Sequence, residues 1–214
     1  MENILENGYS TFSQKVIKDT NLNIKSKGIY LFLCAYKNVD YIATPKRETI
    51  MNYLKIGSKN TYYKYIKELD DKGYISTNLL KVDGRFFCNQ FIINKKVNNI
   101  ELFDNYGIIP RKLMNDKNIN IESKVIYSYL NMYRNKKHEV AFPNLSQIKS
   151  YLLIGINKIS EVLKSLVENN YISKKQYRNE NKFSSNIYHM LGYRENIAVK
   201  ESTILADEIA KNTQ

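Results

Sequence analysis

In the stretch SKNTYYKYIKEL, residues 58–69, apolar side chains recur at Tyr62, Ile66 and Leu69, the i, i+4, i+7 spacing of one helix face. With that stripe removed, Lys59, Asn60, Tyr63, Lys64 and Lys67 share the other face, and Ser58 stands ahead of it as an N-cap. These residue types can contact nucleic acid. An Asn amide matches the donor and acceptor on the adenine edge in the major groove, and lysines bind phosphate, which positions without specifying. The plainer reading of the same face is a row of solvated lysines. A second stretch, INKISEVLKSLVEN, carries its stripe on Ile159, Val162, Leu163 and Leu166. There Asn157 reads as the cap, and Lys158, Ser160, Glu161, Lys164 and Ser165 face outward. Glu161 stands where the first helix has Lys64. A carboxylate there repels phosphate but can accept a hydrogen bond from cytosine N4. Further bases follow each helix: Lys81 and Arg85 after the first, and Lys174, Lys175, Arg178 and Lys182 after the second.

The residues that would carry catalysis are sparse. None of the 8 glycines opens a Gly-Lys-Ser/Thr, so the P-loop is missing. The 2 histidines, His138 and His189, are not spaced as ligands, and no Cys/His cluster has the spacing of a zinc site. The expectation is a protein that is not an enzyme and uses no cofactor or metal. A tyrosine nucleophile among the 18 tyrosines stays open, without a base constellation beside any of them. Cys34 and Cys88 read as buried small hydrophobes rather than a disulfide, which fits a reducing cytoplasm.

The elements that must position the outward faces come twice. NLNIKSKGIYLFL (residues 21–33) returns as NINIESKVIYSYL (residues 118–130), 97 residues later. The register runs on through Ala43, Pro45, Tyr53, Leu54 and Gly57 against Ala141, Pro143, Tyr151, Leu152 and Gly155, after one insertion near His138. It returns to 97 at Tyr74-Ile75-Ser76 and Tyr171-Ile172-Ser173. Each copy of about 90 residues is long enough to bury a core with a modest margin. Asn23 and Asn120 are candidate N-caps for a helix whose Ile29, Phe32, Leu33 and Tyr36, or Ile126, Tyr129, Leu130 and Tyr133, face a core. A shorter helix precedes each, around Gln14–Asp19 and Pro110–Asp116. Pro45 suits the first turn of the next helix, and Gly57 is expected to end it in a left-handed conformation. The capped helix described above follows at once, stopped by Gly73 in one copy and Asn169-Asn170 in the other. β-rich runs then flank Asp83-Gly84 and Asn179-Glu180-Asn181, the signature of a hairpin. Two helices on a tight turn followed by a hairpin form a helix-turn-helix with a wing.

The expected organisation is therefore α+β and mostly α, with two tandem winged helix-turn-helix domains at residues 8–93 and 106–191. A linker at 94–105 joins them, and residues 192–214 form a C-terminal helix or tail. In that tail Val199, Ile204, Leu205 and Ile209 give one apolar side, for contact with its own domain or with a partner. There are 33 Lys/Arg against 21 Asp/Glu, a net charge of +12. Both halves share it: residues 1–97 hold 16 against 9, and the rest 17 against 12. That favours a polyanionic partner, although codon bias in a genome poor in G and C would enrich lysine too. No run of about 18 apolar residues marks a membrane span, and MENILENGYS has no basic region ahead of an apolar one, so no secretory signal is read there.

NIKSKGIYLFL, the Ala-x-Pro before the second helix, the Gly turn and IKELDDKGYI together resemble the winged-helix domains of phage and plasmid proteins of Gram-positive bacteria. The resemblance covers both copies, about residues 8–192, with the turn before the third helix shortened, most in the second copy. It implies a replication initiator, a replisome organiser or a transcriptional regulator that binds duplex DNA. It leaves open a homodimer, replisome or transcription proteins as partners, and use of the domains for protein contact alone. On this reading the first copy reads bases with its helix, and the second grips phosphate through its wing or serves dimerisation. Asymmetric readers on a short linker would take an asymmetric or directly repeated site.

Overall fold

The computed structural model describes residues 3–82, 85–94, 106–135, 137–179 and 182–192. The element order is β1 (Tyr9–Ser13), α1 (Gln14–Lys18), α2 (Ile24–Tyr36), β2 (Ile42–Ala43), α3 (Arg47–Tyr53), α4 (Lys59–Asp71), β3 (Ile75–Val82) and β4 (Arg85–Ile93). The same order follows as β5 (Tyr106–Pro110), α5 (Arg111–Asn115), α6 (Ile121–Met132), β6 (Val140–Ala141), α7 (Leu145–Leu152), α8 (Ile156–Glu168), β7 (Ile172–Asn179) and β8 (Lys182–Met190). Helices with small sheets make this an α+β fold.

Local chemistry explains the boundaries. Asn23 accepts from the Lys25 amide at 2.9 Å and Asn120 from the Ser123 amide at 2.8 Å, each satisfying an orphan donor at the start of α2 or α6. Gly73 (φ 69) and Asn170 (φ 58) follow α4 and α8 in the left-handed region. The turn before α4 differs from expectation. Its left-handed residue is Lys55 (φ 53), not Gly57, and in the second half it is Leu153 (φ 53), not Gly155. The reversal falls right after the last turn of α3 or α7, so the glycine is left in ordinary conformation. Pro45 likewise precedes the N-cap, Lys46, instead of sitting in the first turn. Asn157 does not cap α8; Gly155 is the N-cap, without a side-chain bond, and Asn157 lies inside the first turn.

The hairpin strands pair as expected, in sheets ordered β2-β4-β3 and β6-β8-β7. Val82 faces Arg85 and Asn179 faces Lys182 across their tips. The turns at 83–84 and 180–181, the linker at 95–105 and the tail at 193–214 lie outside the described residues.

The halves are not beads on a linker. β1 pairs antiparallel with β5, with Thr11 opposite Ile108 at the centre, Tyr9 opposite Pro110 and Ser13 opposite Tyr106. Under the 97-residue repeat those last two pairs exchange, so the ladder maps onto itself through a two-fold rotation. Side chains obey the same axis. Lys27 Nζ donates to the Tyr151 carbonyl at 2.6 Å, and Lys124 Nζ to the Tyr53 carbonyl at 2.6 Å. Each lysine thus reaches across to the end of the other half's α7 or α3, where helix carbonyls lack partners. Asp19 accepts from Tyr74 at 2.8 Å and Asp116 from Tyr171 at 2.9 Å, tying α1 and α5 to the strand starts.

The core is one connected cluster running through both halves. α2 is its centre: Ser26 through Ala35 are all buried. Its close approach to α6 depends on Gly28, whose missing side chain leaves room for Ile121 and Val125. The cost of a mid-helix glycine is about 1 kcal/mol against alanine. Gly28→Leu would put a side chain into Ile121. An expected loss of about 2 kcal/mol follows from overpacking, read as a lower urea midpoint; an unchanged midpoint would refute the contact.

Candidate nucleic-acid interface

α4 presents the face that the sequence assigns to it. Tyr62, Ile66 and Leu69 are buried, and Lys59, Asn60, Tyr63, Lys64 and Lys67 are exposed. Ser58 is engaged as the cap: its Oγ accepts from the Thr61 amide at 3.1 Å and donates to Thr61 Oγ1 at 3.0 Å. Its service is to fix the first turn, so Lys59 and Asn60 project from a held helix end whose amide dipoles favour an anion. Lys67 is paired with Asp71 at 2.8 Å on the same face, which raises its pKa through that hydrogen bond and leaves less net charge there. The basic character is therefore concentrated at the N-terminal end of α4.

One contributor lies outside the expectation from sequence. Arg47, the first residue of α3, donates from Nη1 to the Tyr63 hydroxyl at 2.7 Å and pairs with Glu48. The hydrogen bond to Glu48 is the first cause of its raised pKa. Arg47 thereby orients Tyr63 beside Asn60, and the exposed Lys46 precedes it. A groove of about 810 Å³ opens here between α4 and the hairpin, with Arg47 and Lys67 on one lip and Leu79 on the other. The signal available in sequence is the basic pair at the start of α3, which helix-turn-helix packing brings against α4.

α8 is built differently. Ile159, Val162, Leu163 and Leu166 are buried as expected, and Asn157, Ser160 and Lys164 are exposed. Lys158 is half-buried and paired with Glu161 at 2.6 Å, and Lys164 lies 3.6 Å from Glu168. Its two lysines each face a carboxylate one turn on, so this helix offers a polar face rather than a positive one. Ile156 is 47 % exposed at its start, where the first half has Lys59.

Lys174 and Lys175 are both exposed on β7. They are successive strand residues opposite Tyr188 and Ile187, so their side chains leave opposite sheet faces. The backbone places Lys81 and Arg85, and likewise Arg178 and Lys182, near the hairpin tips; their side chains lie outside the described residues. Among the described residues no group of His, Cys, Asp and Glu could hold a metal ion, and no helix is long and apolar enough to cross a membrane.

Two family models match the chain. Residues 20–75 match a helix-turn-helix domain, which spans α2 through the start of β3. Residues 109–204 match the DnaD N-terminal domain, which takes in the second half from α5 onward. No curated protein matches.

Proposed function

We propose, from a helix-turn-helix match on the first half and a DnaD N-terminal match on the second, that this protein binds duplex DNA site-specifically through two winged-helix halves. It would act in the cytoplasm, in the initiation of replication on a plasmid or phage genome or in control of that step. The observation that carries the reading is the capped N-terminal end of α4, where Lys59, Asn60 and Lys64 stand exposed together. That end of the second helix of a helix-turn-helix is what enters the major groove. The replication role rests on the DnaD N-terminal match. No step of the proposal needs catalysis, a metal or a cofactor.

The test is selection of bound fragments from the host replicon at about 0.15 M salt, followed by footprinting. Discrete sites at an origin support the proposal, and sites over promoters move the role to transcription. Uniform, salt-labile binding would reduce it to electrostatics.

The reading helix and the hairpin are expected to fail differently when mutated. Alanine at Lys59 and Asn60 should cost about 1–3 kcal/mol at the cognate site and relax sequence preference. Alanine at Lys174 and Lys175 should weaken all sequences alike and lower the salt slope by about 1 to 2. Titrations on cognate and scrambled duplexes at several salt concentrations check this, and equal behaviour of the two pairs would refute the division of labour.

A further inference from the structure

The two-fold axis relating the halves determines how two reading helices can meet one duplex. One end of that axis is the β1–β5 ladder. Lys37, capping α2, donates to the Thr11 carbonyl at 2.6 Å, and Asn131 in the last turn of α6 donates to the Ile108 carbonyl at 2.7 Å. Thr11 and Ile108 are the central pair of the ladder, so α2 and α6 both end there. The two helices cross where Gly28 meets Ile121 and Val125, and their first turns lie beyond the ladder toward the other end of the axis.

That far end is where the reading helices begin. The turn between α3 and α4 packs against the start of α6: Lys55 Nζ donates to the Asn118 carbonyl at 3.2 Å. Ser58 and Thr61 of α4 line a common cleft with Asn120 and Glu122. The two-fold that exchanges Lys27–Tyr151 with Lys124–Tyr53 brings the start of α8 to the start of α2 in the same way. A rotation about an axis keeps direction along that axis. Both reading helices therefore lie at the end of the axis opposite the ladder, on one side of the molecule, related by a rotation of 180°. α4 runs across that end, with Ser58 and Thr61 beside the start of α6 and Glu68 accepting from the Asn23 amide at the start of α2.

We propose that a single chain, without a second copy, engages two half-sites in inverted orientation. A duplex presents two-fold axes perpendicular to its length, and a two-fold pair of readers fits it by aligning its axis with one of them. This departs from the directly repeated site that two independent units would favour. The half-sites are unlike in sequence, because Asn60 with Lys64 faces one and Asn157 with Glu161 the other. The resulting site is an imperfect palindrome. The proposal rests on the DNA-binding reading.

The experiment enriches bound duplexes from a library with a randomised centre, using the full chain, and counts chains per duplex by native mass spectrometry. Expected are two inverted half-sites at one fixed spacing, with one chain per duplex. Asn60→Ala should blur one half-site only, and Asn157→Ala the other. Inserting about 5 bp, half a helical turn, between the half-sites should weaken binding roughly a hundredfold, since the second contact is lost. Half-sites in direct orientation, a single half-site indifferent to the insertion, or two chains on one inverted site would overturn the proposal of one chain on two inverted half-sites while leaving DNA binding intact. If nothing is enriched and nothing binds, the DNA-binding reading itself falls, and this proposal with it.

Discussion

Lys124→Ala is expected to lower folding stability by about 4 kcal/mol, as the sum of a cavity and two stranded carbonyls. Lys124 is fully buried, and its Nζ donates to the Tyr53 carbonyl at 2.6 Å and the Met114 carbonyl at 2.8 Å. Tyr53 is the last residue of α3, so the ammonium caps the other half's helix. Removing the side chain strands both acceptors away from water and leaves a void between the halves. Lys124→Met restores most of the volume and removes a buried charge, so it should recover about half of the loss. Lys27→Ala should cost less, since its Nζ donates to a single carbonyl, that of Tyr151. Urea denaturation of the three variants measures this. A Lys124→Ala effect under about 1 kcal/mol, the range of an ordinary surface change, would refute the capping role.

The same lysines should make the protein more stable as the pH rises from neutrality. Burial pushes the Lys124 pKa down to about 7 and the Lys27 pKa down to about 8, against an ordinary 10.5. Nearby carboxylates oppose the shift without cancelling it: Asp116 for Lys124, and Asp19 and Glu68 for Lys27. Below about pH 7 both lysines are charged in the folded and unfolded chain, and the full cost of burying the charges is present. Between about pH 7 and 10.5 the unfolded chain holds protons that the folded one has shed, so stability rises with pH. From pH 7 to 9 the gain is about 3 kcal/mol, because each proton shed on folding contributes about 1.4 kcal/mol for every pH step of one. Above about pH 10 the trend should reverse, because buried tyrosines such as Tyr30 and Tyr62 hold their protons above the usual tyrosine range. Denaturation midpoints across about pH 6–10 check the curve, and the Lys27→Met/Lys124→Met double variant should flatten it. A flat curve in the unaltered protein would show that both lysines stay charged in the fold.

What can be read from the sequence is what is local. Caps at Asn23, Asn120 and Ser58, the buried stripes of α4 and α8, the stops at Gly73 and Asn170 and the paired strands β3 and β4 on either side of Asp83-Gly84 depend on neighbours a few positions away. The outward face of α4 follows by subtraction. The ladder between β1 and β5 cannot be found that way, since its partners are about a hundred residues apart and YSTFS is too short to declare a strand alone. Lys27 and Lys124 escape notice because a lysine in a helix ordinarily points to water. Yet the run Ile29 to Ala35 is apolar around the whole circumference of α2, and a helix apolar on every side is covered on every side. That run, with a Ser-Lys pair kept in both copies, is the available sign of a second packing face. The reversals at Lys55 and Leu153 stay hidden because glycine two residues on offers the easier left-handed site.

The ladder that joins the halves also sets how the protein responds to its own abundance. Two separate reading units must first find each other, so at low levels the amount of paired reader grows with the square of the chain concentration. Here the pairing is made once, at synthesis, and dilution does not undo it. On the proposed single-chain reading, site occupancy would follow the first power of concentration, and each newly made chain would count from the moment it folds. For a replicon present in few copies, such a protein would report dosage in proportion, without a threshold.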